Sequence, residues 1–465
     1  MSKKEIKYYP FTPAQEMIHF MLKYSFFHKQ VIQIPASIVL RRKINFDIMQ
    51  KALEKEIERN DCLRIRLEKK GGCRQHFLDS VSIGKVPVMN FKTQQEQDDF
   101  LTADAQKTIH CFKGETYRFI FFNTPDGRNG IYINVSHLVM DAPAVFLFFS
   151  DLLAVYEALE SGSELPKPLG SYEETIKKEL EYINNADKVQ ADKEFFVNYF
   201  LKDGEPIWNG VMGPGPLDKA RIKKKNPELR ATGSFNPIKD RAELVRKPLS
   251  VEDSKVILDF MEQNHISGEC VIQLGMRLHV GCLNHRHTDT HFLVLSSRRK
   301  TVNDKRCGGT MASSLPWRII LPEDMNFGEA VDKLRYLQAE IMRHNNYPFI
   351  TWLENERELF NYSMIDGTST MMFSWFPLEN NTMNGWDYEF HSYSIGRYVM
   401  PLYTYSMKDS TTGGLRFAYL HKTDSISKAD IDLLHDSTVK ALVMGCANPG
   451  ITIKEIYDAL EESYK

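Results

Sequence analysis

The sequence predicts a mixed α/β (or α+β) fold divided into two lobes. Three observations predict it. Stretches with strand-like alternation and stretches with helical spacing follow one another in both halves of the chain. The 465 residues exceed the roughly 250–300 at which a single hydrophobic core stops growing. Hydrophobic residues at 42% and charged residues at 26% supply enough apolar surface for two cores and exclude wholesale disorder. The expected division is a first lobe over 1–175 and a second over 176–465.

The elements follow in order. Thr12-Pro13-Ala14-Gln15 opens the first helix: Thr12 caps, Pro13 suits the first turn, and Gln15 reaches back as a capping box. A strand is predicted over 31–39 and a helix over 45–59, with Phe46, Met49, Leu53 and Ile57 on one stripe. Residues 62–67 alternate as a half-buried strand does. Strands over 116–122 and 131–135 flank a loop holding Asp126-Gly127, and a strongly apolar helix over 143–159 follows. Residues 203–248 are rich in Gly, Pro and Lys without clear periodicity, and read as an irregular crossing segment. Ser250 then caps a new helix. Helices are predicted over 269–282, 327–344 and 428–444, and strands over 292–295, 315–321, 371–376 and 415–419.

The formal net charge of −2 points away from nucleic acid and other polyanions. No apolar run is judged long enough to span a bilayer, and residues 1–9 lack the apolar centre of a secretory leader. The seven cysteines are scattered, odd in number and without a C-x-x-C pair. Reduced thiols in a cytoplasmic protein account for this pattern.

The segment that carries chemistry is Ser136-His137-Leu138-Val139-Met140-Asp141-Ala142. It joins the strand over 131–135 to the apolar helix, so His137 sits on a short loop between two rigid elements. An imidazole with an unperturbed pKa of about 6.5 accepts a proton near neutral pH, which suits general-base work on an amine or alcohol. Asp141 holds the loop by an ion pair or by capping the helix. Its place before Ala142-Pro143 is also what an ordinary helix start looks like.

His137 and Asp141 match the second histidine and the aspartate of H-H-x-x-x-D-G, the signature of the condensation-domain superfamily of acyltransferases, which includes nonribosomal peptide synthetase domains and chloramphenicol acetyltransferase. Four further blocks resemble that family in the same order. They are Thr12 to Gln15, Arg59 to Arg66, Gly309 to Pro316 and His344 to Phe349. The resemblance covers residues 8–458. It implies two lobes, each like a chloramphenicol acetyltransferase subunit, set in a V with a tunnel between them. It implies an acyl thioester donor, on coenzyme A or on the phosphopantetheine of a separate carrier protein, and an amine or alcohol acceptor. No tightly bound cofactor and no metal are implied. His137 is the implied general base. Asp141 is structural, paired with Arg64. The Ala142 amide, Ser136, Ser313 and Ser314 are candidates to line the tunnel or meet the oxyanion. A monomer needs no partner subunit. Ser136 and Ala142 stand where the signature has histidine and glycine. They motivate the alternative of a condensation-like protein that binds a carrier or small ligand without catalysis.

Three other features read as structural. Cys282, His285, His287 and His291 are zinc-ligand types, but their spacing matches no familiar zinc pattern. Arg221, Lys223, Lys224 and Lys225 form a basic run that is solvated or, on a sharper reading, meets the phosphates of coenzyme A or an acidic carrier face. Trp317, Trp375, Trp386, Tyr388, Tyr393 and Tyr403 read mainly as core packing.

Overall fold

The structure is a computed structural model that describes residues 6–233, 236, 238–363, 365–376, 382–409 and 412–464. Its secondary structure is mixed α/β, with two six-stranded sheets and many helices. The chain forms two compact units, one of 1–189, 297–313 and 380–395, the other of 190–296, 314–379 and 396–465. Two short stretches of the later sequence therefore belong to the first unit, where a division at 175 has none.

The first unit is built on a sheet with the strand order Thr382–Met383, Trp386–Ser392, Gln33–Leu40, Asn129–Ser136, Tyr117–Asn123, Val88–Asn90. The four longer strands run antiparallel to one another, and Val88–Asn90 is parallel to Tyr117–Asn123. The register pairs Gln33 with Ser136 and Ala36 with Ser392. The late strand Trp386–Ser392 thus joins the early sheet by extending the Gln33–Leu40 edge. A smaller sheet of Tyr9–Pro10, Arg74–Phe77 and Ile65–Glu68 lies beside the first helix.

Helix Ala142–Ser161 packs against helix Phe46–Arg59. It is twenty residues long and apolar enough, by length and composition alone, to cross a membrane. This revises the expectation that no such run exists. Ten of its side chains, among them Phe148, Phe149, Leu152, Leu153 and Tyr156, are buried in the first unit, so its apolarity serves the core.

The second unit has the strand order Ser313–Ile320, Asp289–Ser296, Met371–Phe376, Leu402–Lys408, Leu415–Lys422, Ala242–Pro248. Helix Gly268–Leu283 is buried over nearly its whole length, wrapped by helices Lys428–Ala447, Ile453–Ser463 and Phe327–Arg343. Gly275 permits the closest approach, since a Cβ there would lie 2.5 Å from Leu442 Cγ.

The segment 203–248, expected to be irregular, holds helix Gly215–Lys224 and strand Ala242–Pro248. The strand occupies a sheet edge, where one side is open and polar residues are tolerated. Its apolar signal is correspondingly weak, and Pro248 is acceptable at an edge.

One buried group between the two first-unit helices is not matched by charge. Glu56 is fully buried, and its Oε1 accepts from Asn60 Nδ2 at 3.1 Å. Burial and the neighbouring Asp151 carboxylate push its carboxyl well above the ordinary glutamate range. Asp151 is itself bound by Arg59 through Nε (2.9 Å) and Nη2 (3.2 Å). A folded-state pKa above the unfolded value means the native state holds a proton that the unfolded chain has released. Stability therefore falls as pH rises above about 4.3, by up to about 1.4 kcal/mol per pH unit. Glu56→Gln mimics the protonated acid. Its melting temperature should exceed that of wild type at pH 8, and the two should converge near pH 4.

Candidate active site

The loop between strand Asn129–Ser136 and helix Ala142–Ser161 is held almost atom by atom. The Ser136 carbonyl accepts from Val139 N (2.9 Å) and Met140 N (3.2 Å), and Ser136 Oγ accepts from Leu138 N (3.3 Å). This closes a serine turn of the kind short hydroxyl side chains favour. His137 N donates to Ile32 O at 2.7 Å. The Leu138 carbonyl accepts from Gln15 Nε2 at 2.9 Å. Gln15 is itself fixed by the capping box with Thr12 and by a reciprocal amide pair with Gln75. The Thr12 to Gln15 block thus caps a helix and also anchors the loop.

Asp141 caps the apolar helix, accepting from Ala144 N at 3.0 Å. Its carboxylate also accepts both ends of the Arg299 guanidinium at 2.8 Å each, and the amides of Met311 and Ala312 at 2.9 Å each. The aspartate is fully buried. Burial alone pushes a carboxyl up, but Arg299 and the amide donors outweigh it and hold Asp141 below the usual carboxylate range. It stays charged and is fully committed.

Arg299 carries this load further, donating from Nη2 to Gly309 O at 3.0 Å. Gly309 has φ +90, and a Cβ there would meet the Tyr172 ring at 2.3 Å, so only glycine fits. Next to it, Thr310 Oγ1 donates to His137 O at 2.5 Å, and Tyr172 OH donates to Thr310 O at 2.8 Å. Tyr172 opens helix Tyr172–Ile183, which is held at its start by Asp61 through Tyr172 N and Ser171 Oγ. Residues 61, 137, 141, 172, 299 and 309–312 are thus one connected assembly.

His137 itself is pinned by backbone only. Its ring is half-buried, and Nδ1 is buried with no hydrogen-bond partner. Burial lowers its pKa, and the Asp141 charge opposes that partly, so the net shift is downward from about 6.5. At neutral pH the imidazole is uncharged and able to take a proton.

The sequence pattern of the condensation domain matches residues 5–365. The chain belongs to the condensation-domain family. Members of this family are acyltransferases that form amide bonds. Over 97% of its length the chain is 22% identical to surfactin synthase subunit 1 of Bacillus subtilis (strain 168), and over 92% it is 20% identical to a plipastatin synthase of the same organism. It spans only 12% and 16% of those two proteins. Its fold is similar to the first condensation domain of the calcium-dependent antibiotic synthetase in complex with a substrate analogue. That match has a TM-score of 0.78, 16% identity, and coverage of 97% of this chain and 99% of that one. It is similar too to a mutant of the starter condensation domain of rhizomide synthetase in complex with C8-CoA, with a TM-score of 0.77, 14% identity, and coverage of 96% of this chain and 97% of that one.

The remaining sequence-derived residues of this condensation domain fall as follows. The expected pairing of Asp141 with Arg64 is replaced by pairing with Arg299. Arg64 instead donates to the carbonyls of Ile57 (3.0 Å), Glu58 (2.5 Å) and Leu78 (3.1 Å). Its guanidinium is spent on a helix end, where unpaired carbonyls attract cations. Ala142 is the first residue of the helix, Ser313 Oγ is buried without a partner, and Ser314 Oγ donates to Met372 Sδ at 3.4 Å in the second unit. Among the described residues no group of three or more His, Cys, Asp or Glu side chains is arranged to hold a metal. His291 bonds Thr368, and Cys282 Sγ points at Tyr457 O. Arg221 turns back to Leu229 O, and Lys224 lies 3.3 Å from Asp366.

Removing one partner of a buried ion pair strands the other charge and costs about 3–5 kcal/mol. Asp141→Ala and Arg299→Ala should each lower the melting temperature sharply, and the double variant should lose much less than their sum. A cycle that comes out additive would show that the pair is not coupled.

Proposed function

We propose that the chain transfers an acyl group from a thioester to an amine or alcohol, with His137 as general base. The observation that carries this reading is the pairing of a rigid loop backbone with a neutral imidazole whose buried Nδ1 has no hydrogen-bond partner. The base is fixed in place while its ring nitrogens stay uncommitted to protein partners. His137 takes the proton from the acceptor as its nitrogen or oxygen attacks the thioester carbonyl. The tetrahedral intermediate collapses, the carbon–sulfur bond breaks, and the imidazolium returns the proton to the leaving thiolate. No acyl-enzyme is needed. Asp141 does not relay protons, because Arg299 and three amides hold it as a carboxylate. Its part is to set the loop and to supply negative charge near the imidazolium that forms.

The developing oxyanion needs a donor in a dry setting. Ser313, whose buried hydroxyl is unpaired, and the Ala142 amide at the helix start are the groups we assign to that task. The donor is coenzyme A or a carrier-borne pantetheine. The C8-CoA held by the rhizomide synthetase domain supports a thioester of this kind.

A panel of acyl-CoA and acyl-carrier donors with amine and alcohol acceptors tests this. Turnover should fall by about 10²–10⁴-fold in His137→Ala with KM little changed. Binding without turnover in wild type would instead favour a non-catalytic binder. The acid limb of the kcat/KM profile should lie below about 6.5, following the downward shift of the histidine. An acid limb above that value contradicts the assignment.

A further inference from the structure

The loop that follows helix Pro13–Tyr24 places two adjacent phenylalanines on the surface of the first unit. Phe26 is 55% exposed and Phe27 74%. Exposed aromatics in tandem are unusual in a soluble domain and mark an interaction site when the surroundings match a partner. The loop is stiff. Ser25 Oγ donates to His28 O at 2.7 Å, and the Lys29 ammonium donates to the carbonyls of Leu22 and Ser25 at the helix end. Phe26 and Phe27 are therefore presented outward by a braced turn.

The surroundings are cationic. No aspartate or glutamate occurs from Met17 to Leu40, a stretch that holds Lys23 and Lys29. The turn between strands Ile65–Glu68 and Arg74–Phe77 adds Lys69 and Lys70. Lys69 lies over the Phe112 ring at 4.5 Å and acts electrostatically on Lys29, and both Lys69 and Lys23 act on Cys73. Lys113 follows Phe112 directly. All five lysines are exposed. Of the nearby acids, Glu68 is bound by Arg74, and Glu16 stays half-exposed beside His19, a single carboxylate that the lysines outnumber.

We propose that this surface docks the protein on an anionic lipid bilayer, with Phe26 and Phe27 entering the headgroup–acyl boundary and Lys23, Lys69, Lys70 and Lys113 meeting the lipid phosphates, while Lys29 braces the loop and adds its charge to the local field. The shape favours lipid over a protein partner. A protein interface of ordinary size buries about 800 Å² per side around an apolar centre. Here the apolar part is two side chains at a loop tip ringed by lysines, which is the pattern of interfacial anchoring.

The test uses the full chain and flotation with vesicles of phosphatidylcholine alone or mixed equally with phosphatidylglycerol. The expected result is binding to the mixed vesicles, none to phosphatidylcholine, and release by high salt. Phe26→Ser/Phe27→Ser and, separately, Lys69→Glu/Lys70→Glu should each weaken binding by about tenfold or more. Because these side chains are exposed, the melting temperature and acyl transfer in solution should stay unchanged. Absence of binding to mixed vesicles overturns the proposal. So does binding indifferent to Phe26→Ser/Phe27→Ser, or a patch that captures an acidic protein while ignoring both vesicle types.

Discussion

The buried carboxylate of Asp141 is the constraint on which the rest of the site depends. A charge removed from water is tolerable only when it is paired and its lone pairs are filled. Here Arg299 and the amides of residues 144, 311 and 312 do both. Those donors come from three segments, two of them far from the aspartate in sequence, so one side chain ties the start of the apolar helix to two distant stretches. The reason the segment 297–313 belongs to the first unit is physical: it supplies the counter-charge without which Asp141 could not be buried.

This arrangement separates the work of the two signature residues. In a catalytic triad a carboxylate meets the far nitrogen of the histidine and orients it. His137 has no such partner, and its Nδ1 is buried and unpaired. Its orientation comes instead from the backbone, which is fixed at its own amide by Ile32, at its carbonyl by Thr310, and one residue later by Gln15. Burial then keeps the imidazole neutral, while the nearby charge of Asp141 limits how far its basicity falls. A base that is too strongly desolvated would be a poor proton acceptor, so the two influences are usefully opposed.

Much of this is legible in sequence, and the rest is hidden for identifiable reasons. The capping box at Thr12, the central strands and the apolar helix follow from local spacing and lie where expected. His137 stands out because it ends a strand beside a helix cap. Arg299 does not, because nothing local marks it. It follows the strand Asp289–Ser296 as one of two tandem arginines, and its partner lies 158 residues away. Arg64 looks the better partner because it lies in a recognisable block, yet nearby helix carbonyls claim it first. Thr310 lies in the recognisable Gly309 to Pro316 block, yet nothing local marks its role or that of Tyr172, since each acts through one long-range hydrogen bond. The helix Tyr172–Ile183 itself starts at Ser171, a serine cap that is a local signal of the ordinary kind.

The two departures from the family signature bear on whether the site retains its chemistry. A glycine after the aspartate matters if the backbone there is left-handed. Ala142 is instead the first residue of a regular helix and is not among the residues with positive φ, so its methyl group adds no backbone strain. Ser136 is buried, and its hydroxyl braces the turn through Leu138 N. It therefore contributes to holding His137 rather than leaving a gap. Both substitutions are absorbed by the loop, and the groups that fix its backbone remain in place. Neither substitution therefore disturbs the backbone that carries His137.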